Sequence, residues 1–221
     1  MIAFELINDM IPALTMKDSA EKAILWMEEL RTNYLPVIEN GYFKGFISEE
    51  IIFEVNNLER ELSNIKLIGE NCYVKRNQHF YDIIKAAQDN SVDLVAVLDE
   101  EDSYLGVSTL NNVMSAIAKT SAIESPGGII VLSMRQIDYS LAELTRLIEA
   151  ESVKILSSYI SNNPEDPDKL LITIKINAED TTHLVATLER FNYQIVAKFK
   201  EHSSENSDKE RYDMLMKYIN I

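Results

Sequence analysis

The sequence predicts an α+β protein in two parts: a duplicated β-α-β-β-α unit, then a single βαββαβ unit. Three observations lead there. Residues 14–38 align with residues 74–98 at a shift of sixty positions. A strand-turn-strand-helix stretch follows each copy. After Pro126, Gly127 and Gly128 the repeat ends and a different alternation of strands and helices begins.

The first copy reads LTMKDSAEKAILWMEELRTNYLPVI and the second VKRNQHFYDIIKAAQDNSVDLVAVL. Ala20, Ala23, Ile24 and Met27 stand opposite Phe80, Ile83, Ile84 and Ala87. Both sets have the i, i+3, i+4, i+7 spacing of a buried helical stripe. Leu35, Val37 and Ile38 then face Val95, Val97 and Leu98, a short apolar strand in each copy. The first hairpin turns at Asn40-Gly41, a pair suited to the φ > 0 positions of a tight turn. The second turns through residues 99–103 and is one residue longer, so Gly45 falls opposite Gly106. FKGFISEEIIFEV thus lies over YLGVSTLNNVMSA. The acidic tip at 99–102 lacks the ligand spacing of a calcium loop and reads as a solvated turn.

The duplicated part spans 1–122, with copies at about 6–65 and 66–122, and IESPGG at 123–128 reads as a linker. A strand at 129–134 leads to a helix striped by Leu141, Leu144, Leu147 and Ile148. A strand at 154–161, a polar turn, and alternating Leu170, Ile172, Ile174 and Ile176 follow. Leu184, Leu188 and Phe191 stripe a second helix, and 194–199 is the last strand. This order over 129–200 is the ferredoxin-like plan. The tail, 201–221, is polar and then carries Tyr212, Leu215, Met216 and Ile219 at the spacing of a short amphipathic helix.

With 221 residues, 46 % of them apolar, the chain can bury a core without staples, and one cysteine excludes a disulfide framework. The N-terminus lacks a basic n-region, and no apolar run reaches the roughly 20 residues of a membrane helix. A cytoplasmic protein without a membrane partner is expected. The net charge of −15 repels a phosphate backbone, so nucleic acid is not an expected partner either.

The stretches DMIPALTMKDSAEKAI, YLPVIENGYFKGFIS and DLVAVLDEEDSYLGVST resemble a tandem pair of CBS domains, a Bateman module. The βαββαβ unit resembles an ACT domain. The layout is similar to bacterial acetoin-utilisation accessory proteins. The resemblance implies a non-enzymatic regulatory protein whose CBS pair binds an adenine nucleotide (AMP, ADP or ATP) and whose ACT-like domain mediates dimerisation or signal output. A homodimer is expected, with no required cofactor. A structural interaction module with degenerate sites, and an amino-acid sensor built on the ACT-like domain, are the alternatives.

In CBS nucleotide sites the second hairpin strand often ends in Gly, two apolar residues, Thr or Ser, two free positions and Asp. The acid receives hydrogen bonds from ribose hydroxyls, and the hydroxyl residue lies near phosphate. The second copy offers Gly106, Ser108, Thr109 and, in place of Asp, Asn112. Asn keeps an acceptor oxygen but not the charge. The first copy offers Ser48, but Ile51 cannot bond a ribose, and Glu49 and Glu50 oppose phosphate. Val74, Lys75 and Arg76, just before the second repeat helix, are expected to line the site, with Lys75 and Arg76 as phosphate partners. Thr109 and Ser48 are also ordinary helix N-caps, and sequence alone leaves both readings open. In the ACT-like unit the turn from strand to helix places Tyr139 or Ser140 where many ACT domains have a ligand-admitting glycine. Asp138 and Ser140 there read as helix caps.

His79, His183, His202 and Cys72 are scattered without zinc-site spacing. No Gly-x-Ser-x-Gly elbow, phosphate-cradling Gly-Lys-Ser/Thr loop or Gly-x-Gly-x-x-Gly occurs. An enzyme is not expected.

Overall fold

A computed structural model describes residues 1–200 and Met216. The expected helix at 211–221 lies outside the described residues apart from Met216. The chain divides into two units, Met1–Ala118 and Lys119–Ile221.

The N-terminal unit holds two copies of one order. The first is β1 (Leu14–Thr15), α1 (Ala20–Leu30), β2 (Tyr34–Glu39), β3 (Tyr42–Ser48) and α2 (Glu49–Val55). The second is β4 (Tyr73–Lys75), α3 (Phe80–Asn90), β5 (Leu94–Leu98), β6 (Tyr104–Thr109) and α4 (Leu110–Ala118). Each copy forms a three-stranded sheet, β1-β2-β3 or β4-β5-β6, whose first pair is parallel and second antiparallel. The bulges match too, falling between Val37 and Ile38 in one copy and between Val97 and Leu98 in the other. Most of each predicted helix stripe is in the core: Ala20, Ala23 and Met27 are buried, as are Phe80, Ile83 and Ala87, whereas Ile24 is half-buried and Ile84, expected in the stripe, is exposed. Ser19 caps α1 by accepting from the Lys22 N–H, and His79 caps α3 by accepting from the Tyr81 N–H. Both helices end on a left-handed residue other than glycine, Arg31 at φ 53° and Ser91 at φ 54°.

The copies are not self-contained. Each is completed by the segment that precedes the other. A 3-10 turn at Ala3–Leu6 buries Ala3 and Leu6 in the core of the second copy, and the Ala3 N–H donates to the Gln78 carbonyl at 2.8 Å. The 3-10 turn at Leu62–Asn64 does the same for the first copy: Leu62 joins its core and donates to the Asp18 carbonyl at 2.9 Å. The exchange extends to the sheets. The Asn8 N–H donates to Val107 at 2.7 Å, and Ile68 and Phe46 exchange two backbone bonds at 2.7 and 2.9 Å. Asn8 stands sixty positions before Ile68, so the two lead-in segments are counterparts that have traded partners.

The C-terminal unit contains α5 (Ser121–Glu124), β7 (Gly128–Arg135), α6 (Leu141–Ala150), β8 (Ile155–Asn162), β9 (Lys169–Ile176), α7 (Thr182–Arg190) and β10 (Gln194–Lys200). Its sheet order is β10-β7-β9-β8 with every pair antiparallel, the ferredoxin-like arrangement. Ile130, Leu132, Ile172, Ile174 and Ile176 bury one face against Leu144, Leu147, Leu184 and Leu188. The segment read as a linker at 123–128 is structured. The Thr120 carbonyl accepts from both Ile123 and Glu124, closing one helical turn, and β7 already begins at Gly128. No helix among the described residues is long and apolar enough to cross a membrane.

Candidate functional site

Strand β6 runs directly into α4, and Thr109 makes the junction. Its Oγ1 accepts from the Asn112 N–H at 2.9 Å, the usual N-cap bond. The same hydroxyl donates to Asn112 Oδ1 at 2.8 Å. The Asn112 amide then donates through Nδ2 to the Leu6 carbonyl at 3.2 Å. Asn112 therefore ties the cap of α4 to the N-terminal segment that completes the second copy. Its oxygen, expected to face a ribose, already carries one hydrogen bond, and its second lone pair is the acceptor that remains.

Beside this cap lies a cavity of about 240 Å3 between the two copies. Thr109 and Asn112 line it from the second copy, with Asp93 from the entrance to β5. Asn8 and Ile11 line it from the lead-in segment, and Arg31 and Thr32 from the end of α1. The Asp93 carbonyl accepts from the Leu110 N–H at 3.0 Å, which fixes the β5 entrance against the start of α4. Arg31 and Asp93 are exposed, and the side chain of neither has a hydrogen-bond or ion-pair partner among the described residues.

The structure thus brings Thr109 and Asn112 to one cavity and leaves the other sequence-predicted residues elsewhere. Ser108 is fully buried, and its Oγ has no hydrogen-bond partner. Side chains alternate along a strand, so Ser108 and Thr109 point to opposite faces of β6. Val74 is buried in β4 opposite Val97. Lys75, expected to meet phosphate, bonds the Asp102 carboxylate and the Asp99 carbonyl, both at 2.6 Å. The Asp102 carboxylate holds the Lys75 ammonium above its usual pKa. Arg76, its expected companion, lies over the Phe4 ring at 4.5 Å from the centroid. Ser48 caps α2 by accepting from the Ile51 N–H at 3.2 Å, and Glu49, Glu50, Glu54 and Phe53 line an acidic surface hollow there.

The residues missed by sequence reasoning are Asn8, Arg31 and Asp93. Arg31 and Asn8 reach the cavity from outside the second copy, so aligning the copies could not place them there. Asp93 had a signal, because it stands where the first copy has Asn33, immediately before the apolar strand. Among the described residues no three His, Cys, Asp or Glu side chains gather as a metal site. Burial pushes the Cys72 thiol up to about 12, and its Sγ points at the Leu94 carbonyl, 3.4 Å away, so it is a core residue without thiolate character.

No family model matches the chain. Solved structures resemble about half of it. A CBS domain pair/ACT domain protein from Thermotoga maritima is 16 % identical, with a TM-score of 0.49, over 54 % of this chain and 98 % of that one. CBSX2 in complex with AMP is 15 % identical, with a TM-score of 0.45, over 53 % and 96 %. The CBS domain of the bacterial CNNM/CorC family Mg2+ transporter in complex with ATP is 18 % identical, with a TM-score of 0.43, over 52 % and 85 %.

The N-terminal unit has the fold of a CBS domain pair. Within that CBS pair the two clefts have diverged. The Thr109 cleft keeps a hydroxyl, an amide and an open cavity, whereas its Ser48 counterpart has Ile51 and a row of carboxylates.

Proposed function

We propose that this protein is a non-catalytic regulatory protein whose CBS pair binds an adenine nucleotide-class ligand in the Thr109–Asn112 cavity. The observation that carries the reading is the cavity between the copies, with the cap hydroxyl of Thr109 and the amide of Asn112 on its wall. A ribose can donate to the free lone pair of Asn112 Oδ1. The apolar side, Met10, Ile11 and Leu30, suits a planar base. Binding of AMP or ATP by CBS structures of this fold supports the same assignment.

Isothermal titration with AMP, ADP, ATP and adenosine is the direct test. One site per chain is expected. Asn112→Ala is expected to weaken binding about tenfold, the effect of one polar contact with a partner left unpaired. Unchanged binding by that variant would remove Asn112 from the site. The absence of heat with every ligand up to millimolar concentration would remove the sensing role.

The C-terminal unit is proposed as an ACT-type assembly domain. Its helices cover one face of the sheet, and Tyr159, Val196 and Phe199 remain 61 %, 55 % and 57 % exposed on its strands. Exposed apolar side chains on a sheet are the usual mark of an association surface. A homodimer is expected by light scattering at micromolar concentration, and a monomer would contradict this role.

A further inference from the structure

We infer that two copies of this chain pair through the edges of β8, antiparallel about a two-fold axis, so that their C-terminal sheets join into one of eight strands. This rests on the assembly reading above and names the strand that carries it. The sheet order leaves two edges, β10 and β8. An open edge offers unpaired N–H and C=O groups, and proteins that stay monomeric blunt such edges with lysines, bulges or proline. β10 is blunted. Its pairing with β7 shifts at a bulge between Ile195 and Ala197, and Lys198 and Lys200 follow, both exposed. β8 is not. Its eight residues, ILSSYISN, hold no charge and no proline. Its register shifts only at its start, between Ile155 and Ser157, and residues 157–162 then run in unbroken register with β9. Residues 158–162 are exposed.

A second copy is the partner that suits this edge. Two-fold pairing sets a strand against itself, so every side chain on the seam meets residues of its own strand. On β10 the seam would gather Lys198 and Lys200 from both copies, and like charges across a strand pair are destabilising. On β8 it gathers serines with Tyr159 and Ile160, which are 61 % and 47 % exposed and bring no charge. A two-fold axis that relates neighbouring antiparallel strands stands perpendicular to the sheet. The open faces of the two sheets therefore become one surface, and their helices share the other. Tyr159 lies in the row that crosses the sheet through Thr173, Val131 and Ala197. Pairing at β8 brings two such rows end to end, with both tyrosines near the axis.

The test uses the full chain. Cys72 is buried, so single cysteines can be scanned along β8 and β10 without a competing thiol. Under mild oxidation a cysteine at one position within 157–161 is expected to give a disulfide-linked dimer, because the residue on the axis faces its own counterpart at bonding distance. The yield is expected to fall on either side of that position. Val196→Cys and Phe199→Cys on β10 are expected to stay unlinked. Tyr159→Lys is expected to weaken the dimer at least about tenfold in sedimentation equilibrium, since it sets two like charges on one seam. Tyr159→Thr, neutral and suited to a strand, is expected to weaken it less. The Tyr159 side chain is exposed, so both variants keep the core of the unit. A dimer that links on β10 and not on β8, or that Tyr159→Lys leaves at full strength, overturns the inference while leaving the assembly reading intact. A monomer at micromolar concentration overturns both.

Discussion

Replacing Phe46 with alanine is expected to cost about 3–5 kcal/mol, the usual loss for truncating a fully buried phenylalanine. Phe46 belongs to β3 of the first copy, yet it is packed in the core of the second, with Val95, Val97 and Val107. Its ring meets Phe43 edge-on at 5.0 Å, and a Cβ on Gly69 would come within 3.1 Å of it, so the surroundings cannot collapse far into the space left behind. The effect should reach both copies, because the backbone of Phe46 also holds the Ile68 lead-in strand. Urea unfolding of the N-terminal unit is expected to remain one transition with an unchanged slope and a lower midpoint. A domain's whole stability is commonly about 5–15 kcal/mol, so the variant stands near the edge of folding. Phe53→Ala is the control: Phe53 is 61 % exposed on α2, and its loss should stay within about 0.5 kcal/mol. A loss below about 1 kcal/mol for Phe46→Ala, or two separated transitions, would show that the copies are independent.

Phe46 also illustrates what the sequence conceals. The repeat was legible because each copy keeps its helix stripe, its strand and its glycine at matched offsets, and periodicity reports which face of an element is buried. It does not report against what. The opening segment Ala3–Leu6 carries the same local signals whether it packs on its own copy or on the other. Arg31 escaped for the same reason, since it reaches the Asn112 cavity from the opposite copy.

Other misplacements were readable in hindsight. Ser108 and Thr109 are consecutive strand residues, and alternation alone sends one of them into the core. Lys75 precedes a helix, but its strand pairs with Leu98, which sets it beside the acidic tip that holds its ammonium. The C-terminal fold was legible to the level of topology because Leu170, Ile172, Ile174 and Ile176 alternate cleanly. The glycines before it were not, since a glycine in a loop and a glycine in a tight contact look alike on paper.

Gly127→Ala is the second large effect, and it acts on the other unit. Read as a linker residue, Gly127 is buried. A Cβ placed on it would stand 1.9 Å from the Ile176 carbonyl oxygen and 3.0 Å from the Ile176 carbonyl carbon. Both are backbone atoms of β9, the strand paired with β7 and β8, so no side chain can rotate to make room. Relief requires β7 and β9 to part at the Gly128–Ile176 pair, which sits at the end of the ladder. The expected loss is about 3 kcal/mol, the upper end for overpacking, because the obstacle is main chain. Hydrogen exchange should locate it: faster exchange in β7, β9 and the Gly128 N–H bonded to Ala178, with β2 and β3 of the N-terminal unit unchanged. Glu124→Ala, three residues earlier and exposed, should leave the same amides as they are. Wild-type exchange in Gly127→Ala would return this glycine to the role of a simple linker. Faster exchange confined to β7 and β9 would fix it as the close contact that allows the first strand of the C-terminal sheet to start.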